Sequence, residues 1–156
     1  MMELYRITQE KYADDLSGNG ARIFGGRWNS EGLFAVYTSA YRSLALLETL
    51  AHTPSKIFIS KAYLLITLSV PDSIHPEEID KAKLIAGWDA PDTRPVTKKV
   101  GDKFLRSKSG LLLCVPSVLM PEENNYLINP LHADIRKIKI INKRKLQFDT
   151  RMAGNL

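Results

Sequence analysis

The stretch from Ile57 to Val70, FISKAYLLITLSV in its dense part, constrains the chain most. Its apolar residues are packed too closely for a solvated segment, Pro71 stops it, and it predicts a long strand at the centre of a sheet. Around it the pattern alternates between strand and helix without a regular βαβ repeat. The fold class expected is therefore α+β, a single compact domain with a mixed central sheet and flanking helices. The 156 residues leave no room for a second full domain. With 44% hydrophobic and 25% charged residues the chain can build a core, and disordered, collagenous and coiled-coil classes are excluded.

Leu4–Ile7 reads as a short strand and Gln9–Leu16 as a helical turn or two, ended by the breaker Ser17-Gly18-Asn19-Gly20. GGRWNSEG follows, a loop in which glycines allow positive φ and close approach of a ligand. Leu33–Thr38 is a buried strand, and Thr38 and Ser39 offer N-cap hydroxyls to a helix from Ala40 to about His52, closed by Pro54. On that helix Ala40, Leu44, Leu47 and Ala51 share one arc, with Glu48 at its edge. A helix is predicted over Pro76–Gly87, where Glu77, Glu78 and Asp80 suit the first turn, with Trp88 in the loop behind it. Another helix is predicted over Val96–Ser107, weakened by Gly101. Gly110–Val115 is a buried strand stopped by Pro116, and Pro121–Asn125 is a turn. Leu127-Ile128 starts a short strand, and Ile138–Phe148 forms a final basic one.

Charge divides the chain. Residues 1–92 carry 9 Lys/Arg against 12 Asp/Glu, and residues 93–156 carry 13 against 5. The basic segments, Arg94–Lys108 and Arg136–Arg151, are a solvated face or a surface for a polyphosphate, a nucleic acid or an acidic partner. No aromatic residues interleave with them as a stacking platform requires, so direct nucleic-acid binding is disfavoured. Cys114 is the single cysteine, which excludes an internal disulfide and reads as a small core residue. No run reaches the roughly 18 apolar residues of a membrane span, and the start MMELYRITQEKYADD lacks the apolar stretch of a signal peptide. A cytoplasmic location and no membrane contact are expected. His52, His75 and His132 lack ligand spacing, so no metal site is expected either.

Four residues stand out: Arg27 in the Gly-rich loop, Tyr37 at the end of a buried strand, Glu48 beside an apolar helix face and Ser117 just past a strand. Strand ends and the loops after them anchor side chains that still reach solvent. An arginine among glycines suits a pyrophosphate, which its planar fork grips bidentately while unshielded amides help. A carboxylate beside an apolar helix face suits a cationic transition state. Each residue also has an ordinary reading: a surface loop charge for Arg27, a solvated helix flank for Glu48, core for Tyr37, a turn or cap for Ser117.

Taken in order, LYRIT, GARIFGGRWNSEG, AVYTSAYRSLALLETLAH and GLLLCVPSVLMPEENNYLINPLH resemble the RES domain, the toxin component of a bacterial toxin–antitoxin system. The family takes its name from an Arg, a Glu and a Ser, which fall here on Arg27, Glu48 and Ser117. The tyrosine of its Tyr-Thr-Ser segment is Tyr37, and its closing Asn-Pro-x-His pattern is Asn129, Pro130 and His132. The resemblance covers almost the whole chain: residues 1–150 as the domain and 151–156 as a C-terminal tail.

The resemblance implies a fold similar to the mono-ADP-ribosyltransferase toxins and an activity that splits the nicotinamide–ribose bond of NAD. NAD is then a substrate, with no cofactor or metal. Glu48 would stabilise the oxocarbenium-like ribosyl cation, Arg27 would hold the pyrophosphate, Tyr37 would pack on nicotinamide or ribose, and Ser117 would orient either by hydrogen bonding. Asn29, in the same GGRWN segment, joins Arg27, Tyr37 and Ser117 as a binding residue. The acceptor of the ADP-ribose stays open among water, phosphate and a protein. Many protein-modifying transferases carry Glu or Gln two residues before the catalytic Glu; Leu46 stands there, which favours water or phosphate. The implied partner is an Xre-like helix-turn-helix antitoxin, with DNA reached only through it and a homodimer left open. A non-enzymatic nucleotide or nucleic-acid binding module is the reading from a different class.

Overall fold

A computed structural model describes residues 1–84, 86–90 and 95–152. Seven strands form one mixed sheet: β1 (Met2–Gln9), β2 (Val36–Ser39), β3 (Tyr63–Val70), β4 (Glu77–Glu78), β5 (Leu112–Pro116), β6 (Asn124–Ile128) and β7 (Lys139–Lys145). Their order across the sheet is β4-β5-β6-β2-β1-β3-β7, antiparallel except between β4 and β5. Four helices accompany it: α1 (Asn19–Phe24), α2 (Arg42–His52), α3 (Ser55–Ser60) and α4 (Pro95–Ser107). The α+β class expected from the pattern is the one found.

Pairing explains where strands outgrow their predicted bounds. Polar Glu3, Thr8 and Gln9 give β1 little apolar signal at its ends, yet all eight residues pair with β3, from Met2 opposite Val70 to Gln9 opposite Tyr63. The strand predicted over Ile57–Val70 divides. Pro54 occupies the N-cap of α3, which takes Ile57 to Ser60, and β3 starts at Tyr63. Phe58 is buried there, its ring stacked on Tyr63 with centroids 4.6 Å apart. A short apolar run fits either element, and only the stacking partner decides. β3 lies second from one edge rather than at the centre, but both its neighbours pair along it and nearly every residue is buried.

Two further expectations fail. Pro76–Gly87 is not a helix in its described residues: Glu77 and Glu78 pair in parallel with Leu113 and Cys114, and the Asp80 carboxylate caps Ala82 N–H in a 3₁₀ turn over Lys81–Lys83. The acidic residues that suit a helix start serve a strand edge and an Asp cap instead. Thr38 and Ser39 are not N-caps; they end β2, where Thr38 Oγ1 donates to Tyr126 O and Ser39 Oγ to Asn125 Oδ1. The helix expected from Ala40 accordingly starts at Arg42, and α1 begins at Asn19 within the predicted breaker. On α2 the buried residues are Leu44 and Ala45, whereas Leu47 and Ala51 are exposed, so the buried arc is rotated from the expected one.

Gly101, read as a weakness of the α4 helix, is what lets that helix dock. A Cβ there would lie 1.6 Å from the Trp28 carbonyl oxygen. No side chain fits, and the close approach seats α4 against the GGRWN loop.

Side chains alternate across the sheet. Leu4, Val36, Ile66, Leu68, Leu112 and Ile128 fill a core on one face with Ile138. On the other, Leu113, Val115 and Leu127 pack with Trp28, Phe104 and Leu105, and Tyr5 and Leu65 pack with Ala45 of α2. The site is built on this second face. β7, with Lys139, Lys143, Arg144 and Lys145 exposed, forms the basic edge, and charged residues suit an edge because they discourage further pairing. Arg94 and residues 153–156 of the predicted tail lie outside the described residues.

Candidate active site

The GGRWN loop is pinned on two sides. Thr97 Oγ1 donates to Arg27 O (2.7 Å), and the Asp102 carboxylate accepts from Ser30 N (2.8 Å) and Ser30 Oγ (2.6 Å), all from α4. From the sheet, Tyr37 OH accepts from Trp28 N–H (3.0 Å) and donates to Asn29 Oδ1 (2.6 Å). Asn29 is fully buried, and its Nδ2 reaches the carbonyls of Ala21, Ser30 and Leu33. Its side chain therefore holds the loop together and does not face solvent. Gly26 gives the space: a Cβ there would sit 2.6 Å from Tyr37 OH and 2.9 Å from Asn29 Oδ1. Where the sequence suggested close approach of a ligand, Gly26 serves close packing within the protein, and the loop is tied down.

Arg27 extends from this loop. Its Nη1 donates to Trp88 O (2.9 Å) and its Nη2 to Ala90 O (2.7 Å), so the guanidinium links GGRWN to the turn that carries Trp88. The Trp28 and Trp88 rings lie 6.4 Å apart between centroids and back this link with apolar contact. Burial pushes the Tyr37 hydroxyl well above the usual phenol range, and the nearby Arg27 charge opposes this only partly. Tyr37 thus stays a neutral donor and acceptor.

Glu48 and Ser117 meet directly. Ser117 is fully buried at the bend after Pro116, where its Oγ accepts from Leu119 N–H and Met120 N–H, both at 3.1 Å. Its proton goes to Glu48 Oε1 at 2.7 Å. Asn125 Nδ2 donates to the same oxygen at 2.8 Å, and His52 Nε2, one turn further along α2, lies 3.5 Å from Oε2. The Glu48 side chain keeps 20% of its surface exposed. Burial alone pushes its carboxyl up, but the bonds from His52, Ser117 and Asn125 outweigh it and hold the group below the usual carboxylate range. Glu48 is an anion at neutral pH, half-buried and fixed in orientation.

β2 joins the two halves. Tyr37 and Ser39 are on the same side of the strand; Tyr37 reaches the Arg27 loop, and Ser39 reaches Asn125 and through it Glu48. The structure brings Glu48 and Ser117 into contact and ties the loop of Arg27 and Asn29 to Tyr37 on β2. Asn129, Pro130 and His132 form a turn elsewhere: Asn129 Oδ1 accepts from Leu131 N–H and His132 Nδ1 from Asp134 N–H.

Sequence reading missed Asn125, placed in a turn, as well as Ser39 and His52 as neighbours of Glu48. The legible signal for Asn125 was period-2 alternation with Leu127, which puts an amide on a buried face where a carboxylate or carbonyl must meet it.

Among the described residues no group of three His, Cys, Asp or Glu is placed to hold a metal ion, and no helix is long and apolar enough to cross a membrane.

A family model described as the RES domain matches residues 3–150. The chain belongs to the RES domain family. This RES domain is 44% identical over 142 residues to the "Prs ADP-ribosylating toxin" of Sphingobium sp. (strain YBL2), covering 90% of this chain and 88% of that one. It is 34% identical over 157 residues to the "Toxin Res" of Yersinia enterocolitica, covering 97% of this chain and 99% of the relative. The crystal structure of the M. tuberculosis MbcT-MbcA toxin–antitoxin complex superposes with a TM-score of 0.77 over 94% of this chain and 84% of that chain, at 21% identity, and shows the fold. MbcT, named an NAD(+) phosphorylase, is 39% identical over 74 residues, 44% of this chain and 39% of its own length.

Proposed function

We propose that this RES domain is the toxin of a toxin–antitoxin pair and that it cleaves the nicotinamide–ribose bond of NAD, depleting the cytoplasmic pool. One observation carries the reading: Glu48 is an ionised, half-buried carboxylate with one oxygen engaged by Ser117 and Asn125 and the other turned from them. In the reaction the C1′–N bond breaks, its electron pair leaves with the nicotinamide and neutralises the pyridinium, and the ribose becomes an oxocarbenium-like cation. A fixed anion beside that carbon stabilises the developing charge without reorganising. The acceptor then attacks C1′ and loses its proton. NAD enters as substrate, and no step requires a metal or a further cofactor.

Arg27 is assigned to the pyrophosphate, directly or through the Trp88 turn it clamps, because its guanidinium joins that turn to the GGRWN loop by two hydrogen bonds. Tyr37 supports nicotinamide or ribose with its ring while its hydroxyl secures the loop. Asn29 acts through the loop. Ser117, in place of a direct role on nicotinamide, acts on Glu48.

Water or phosphate is the acceptor we favour, since Leu46 offers no side chain to position a protein acceptor and the relative MbcT is named a phosphorylase. The 44% identical relative named for ADP-ribosylating Prs supports the second reading, transfer to a protein. Incubation of the purified chain with NAD, with and without phosphate, tests both. Release of nicotinamide establishes the cleavage; ADP-ribose, its phosphate ester, or a mass gain on an added protein identifies the acceptor. No nicotinamide release above the buffer rate overturns the reading and leaves a nucleotide-binding module.

The partner we propose is an antitoxin of the Xre-like helix-turn-helix class, with any DNA contact made by that partner. The solved complex of MbcT with MbcA supports an antitoxin as the general kind of partner. Co-expression that restores growth is the check, and sedimentation of the chain alone distinguishes monomer from homodimer.

A further inference from the structure

Both bonds that reach Glu48 from outside its own helix arrive at Oε1: Ser117 Oγ at 2.7 Å and Asn125 Nδ2 at 2.8 Å. A carboxylate oxygen offers two lone-pair sites, so Oε1 is saturated by Ser117 and Asn125, whereas Oε2, which His52 Nε2 approaches to 3.5 Å, keeps one accepting site. Asn125 cannot turn away. Its backbone sits in the middle of three paired strands, opposite Val115 on β5 and Ser39 on β2. Its amide orientation is forced as well: a carboxylate only accepts, so Nδ2 must face Glu48, and Oδ1 then faces Ser39, whose buried Oγ must donate at 2.6 Å. The result is a one-way chain of donors, Ser39 to Asn125 to Glu48, that runs from the sheet to the carboxylate.

We infer that Asn125, locked by Ser39, is the positioning residue of Glu48: it commits Oε1 to the scaffold and thereby presents Oε2 to the ribose of NAD. This rests on the NAD-cleaving reading above. The charged or titratable neighbour of Glu48 is His52 on its own helix; the groups facing it from β2, β6 and the bend after β5 are the neutral Ser39–Asn125 pair and Ser117.

The test measures kcat and KM for NAD across pH for Asn125→Ala, Asn125→Asp, Ser39→Ala and the Ser39→Ala/Asn125→Ala pair. It also follows the ¹³C carboxyl titration of Glu48 in the same proteins. A His52→Gln background removes the imidazole from the profile. Asn125→Ala is expected to lower kcat about 10- to 100-fold, the scale of a small misplacement of a reacting group, with KM within about twofold. Its acid limb and Glu48 titration should move to higher pH, because a donor to the charged form is gone. Asn125→Asp should move them further, since two carboxylates in hydrogen-bond contact resist joint ionisation. Ser39→Ala should shift both in the same direction by less, and add nothing once Asn125 is Ala. Ser39→Ala removes a single hydroxyl and carries the same signs if a substitution at Asn125 prevents folding. A uniform loss at all pH with an unmoved Glu48 titration, or parental kcat in both Asn125 variants, overturns the inference. A parental protein that releases no nicotinamide while Asn125→Ala still moves the Glu48 titration refutes the NAD reading and leaves the anchoring of Oε1 standing.

Discussion

Tyr37 and Ser39 stand two residues apart on one side of β2, roughly 7 Å along the strand, and each closes a different half of the site. Tyr37 OH holds the loop of Arg27 through Trp28 and Asn29, and Ser39 Oγ holds Glu48 through Asn125. The spacing of the anion and the arginine loop is therefore set by a four-residue strand paired to β6 at every position. Such a strand changes shape little, and under the proposed NAD-cleaving reading that stiffness keeps the anion and the arginine loop at a fixed separation.

Glu48→Gln keeps size and hydrogen bonding but removes the charge. NAD cleavage should fall by roughly two orders of magnitude or more, the scale of losing one aligned electrostatic group, while circular dichroism stays unchanged. The substitution also alters pH dependence. Because the folded protein holds the Glu48 carboxyl below its ordinary value, the stability this adds is complete above the unfolded value and lost as pH falls through the folded one. Thermal unfolding from neutral to acidic pH should show the parental protein losing more of its Tm than Glu48→Gln. Identical slopes would mean that the carboxylate contributes no linkage.

Arg27→Lys retains charge and loses the fork that spans Trp88 O and Ala90 O. A lysine reaches one carbonyl at a time, so the two loops uncouple and affinity for NAD should drop by about 1–3 kcal/mol, the range for a charge-assisted contact. Calorimetric titration with a non-cleavable NAD analogue reads the change. Unchanged affinity would remove Arg27 from the binding machinery.

Tyr37→Phe leaves the ring and deletes the hydroxyl. Trp28 N–H and Asn29 Oδ1 then lose a buried partner together, which should cost about 1–3 kcal/mol for each group left unsatisfied. Urea unfolding gives the stability loss, and hydrogen exchange should show faster opening of residues 25–33 with little change in β3. A loss confined to NAD turnover, with parental stability, would mean that the hydroxyl serves the substrate and not the loop.

Gly101→Ala places a methyl on the Trp28 carbonyl. Since α4 cannot keep its seat, the expected destabilisation is about 3 kcal/mol, the upper part of the usual overpacking range. By contrast, alanine elsewhere on an exposed helix position would stabilise relative to glycine. Equilibrium denaturation decides, and a stabilised Gly101→Ala protein would show that α4 tolerates a shift away from the loop.

Residues whose role is written locally are legible in the chain alone. Pro116 and Pro130 mark the ends of apolar runs, and α4 shows its helical period in spite of Gly101. Arg27 among glycines, Tyr37 and Ser117 near strand ends and Glu48 on the flank of an apolar helix face follow the RES motif, with Arg27, Glu48 and Ser117 in its order. Elements failed where two local readings were equally good. Glu77, Glu78 and Asp80 suit a helix start and an edge strand alike, and Ile57–Ser60 suits either element until Phe58 finds Tyr63.

Composition, period and turn residues act over a few positions, and they were enough for the α+β class; the family and the candidate site residues came from the resemblance of the ordered motif segments to the RES domain. Which groups hold that site depends on contacts far apart in the chain. Glu48 meets Ser117 and Asn125 across 69 and 77 residues, and Ser39 meets Asn125 across 86. Periodicity tells which side of a strand a residue occupies but not which strand lies beside it. The pairing of β2 with β6 and β5 with β6, settled by burying the apolar faces of all three, is what makes a serine, an asparagine and a carboxylate into one chain of donors ending at a fixed anion.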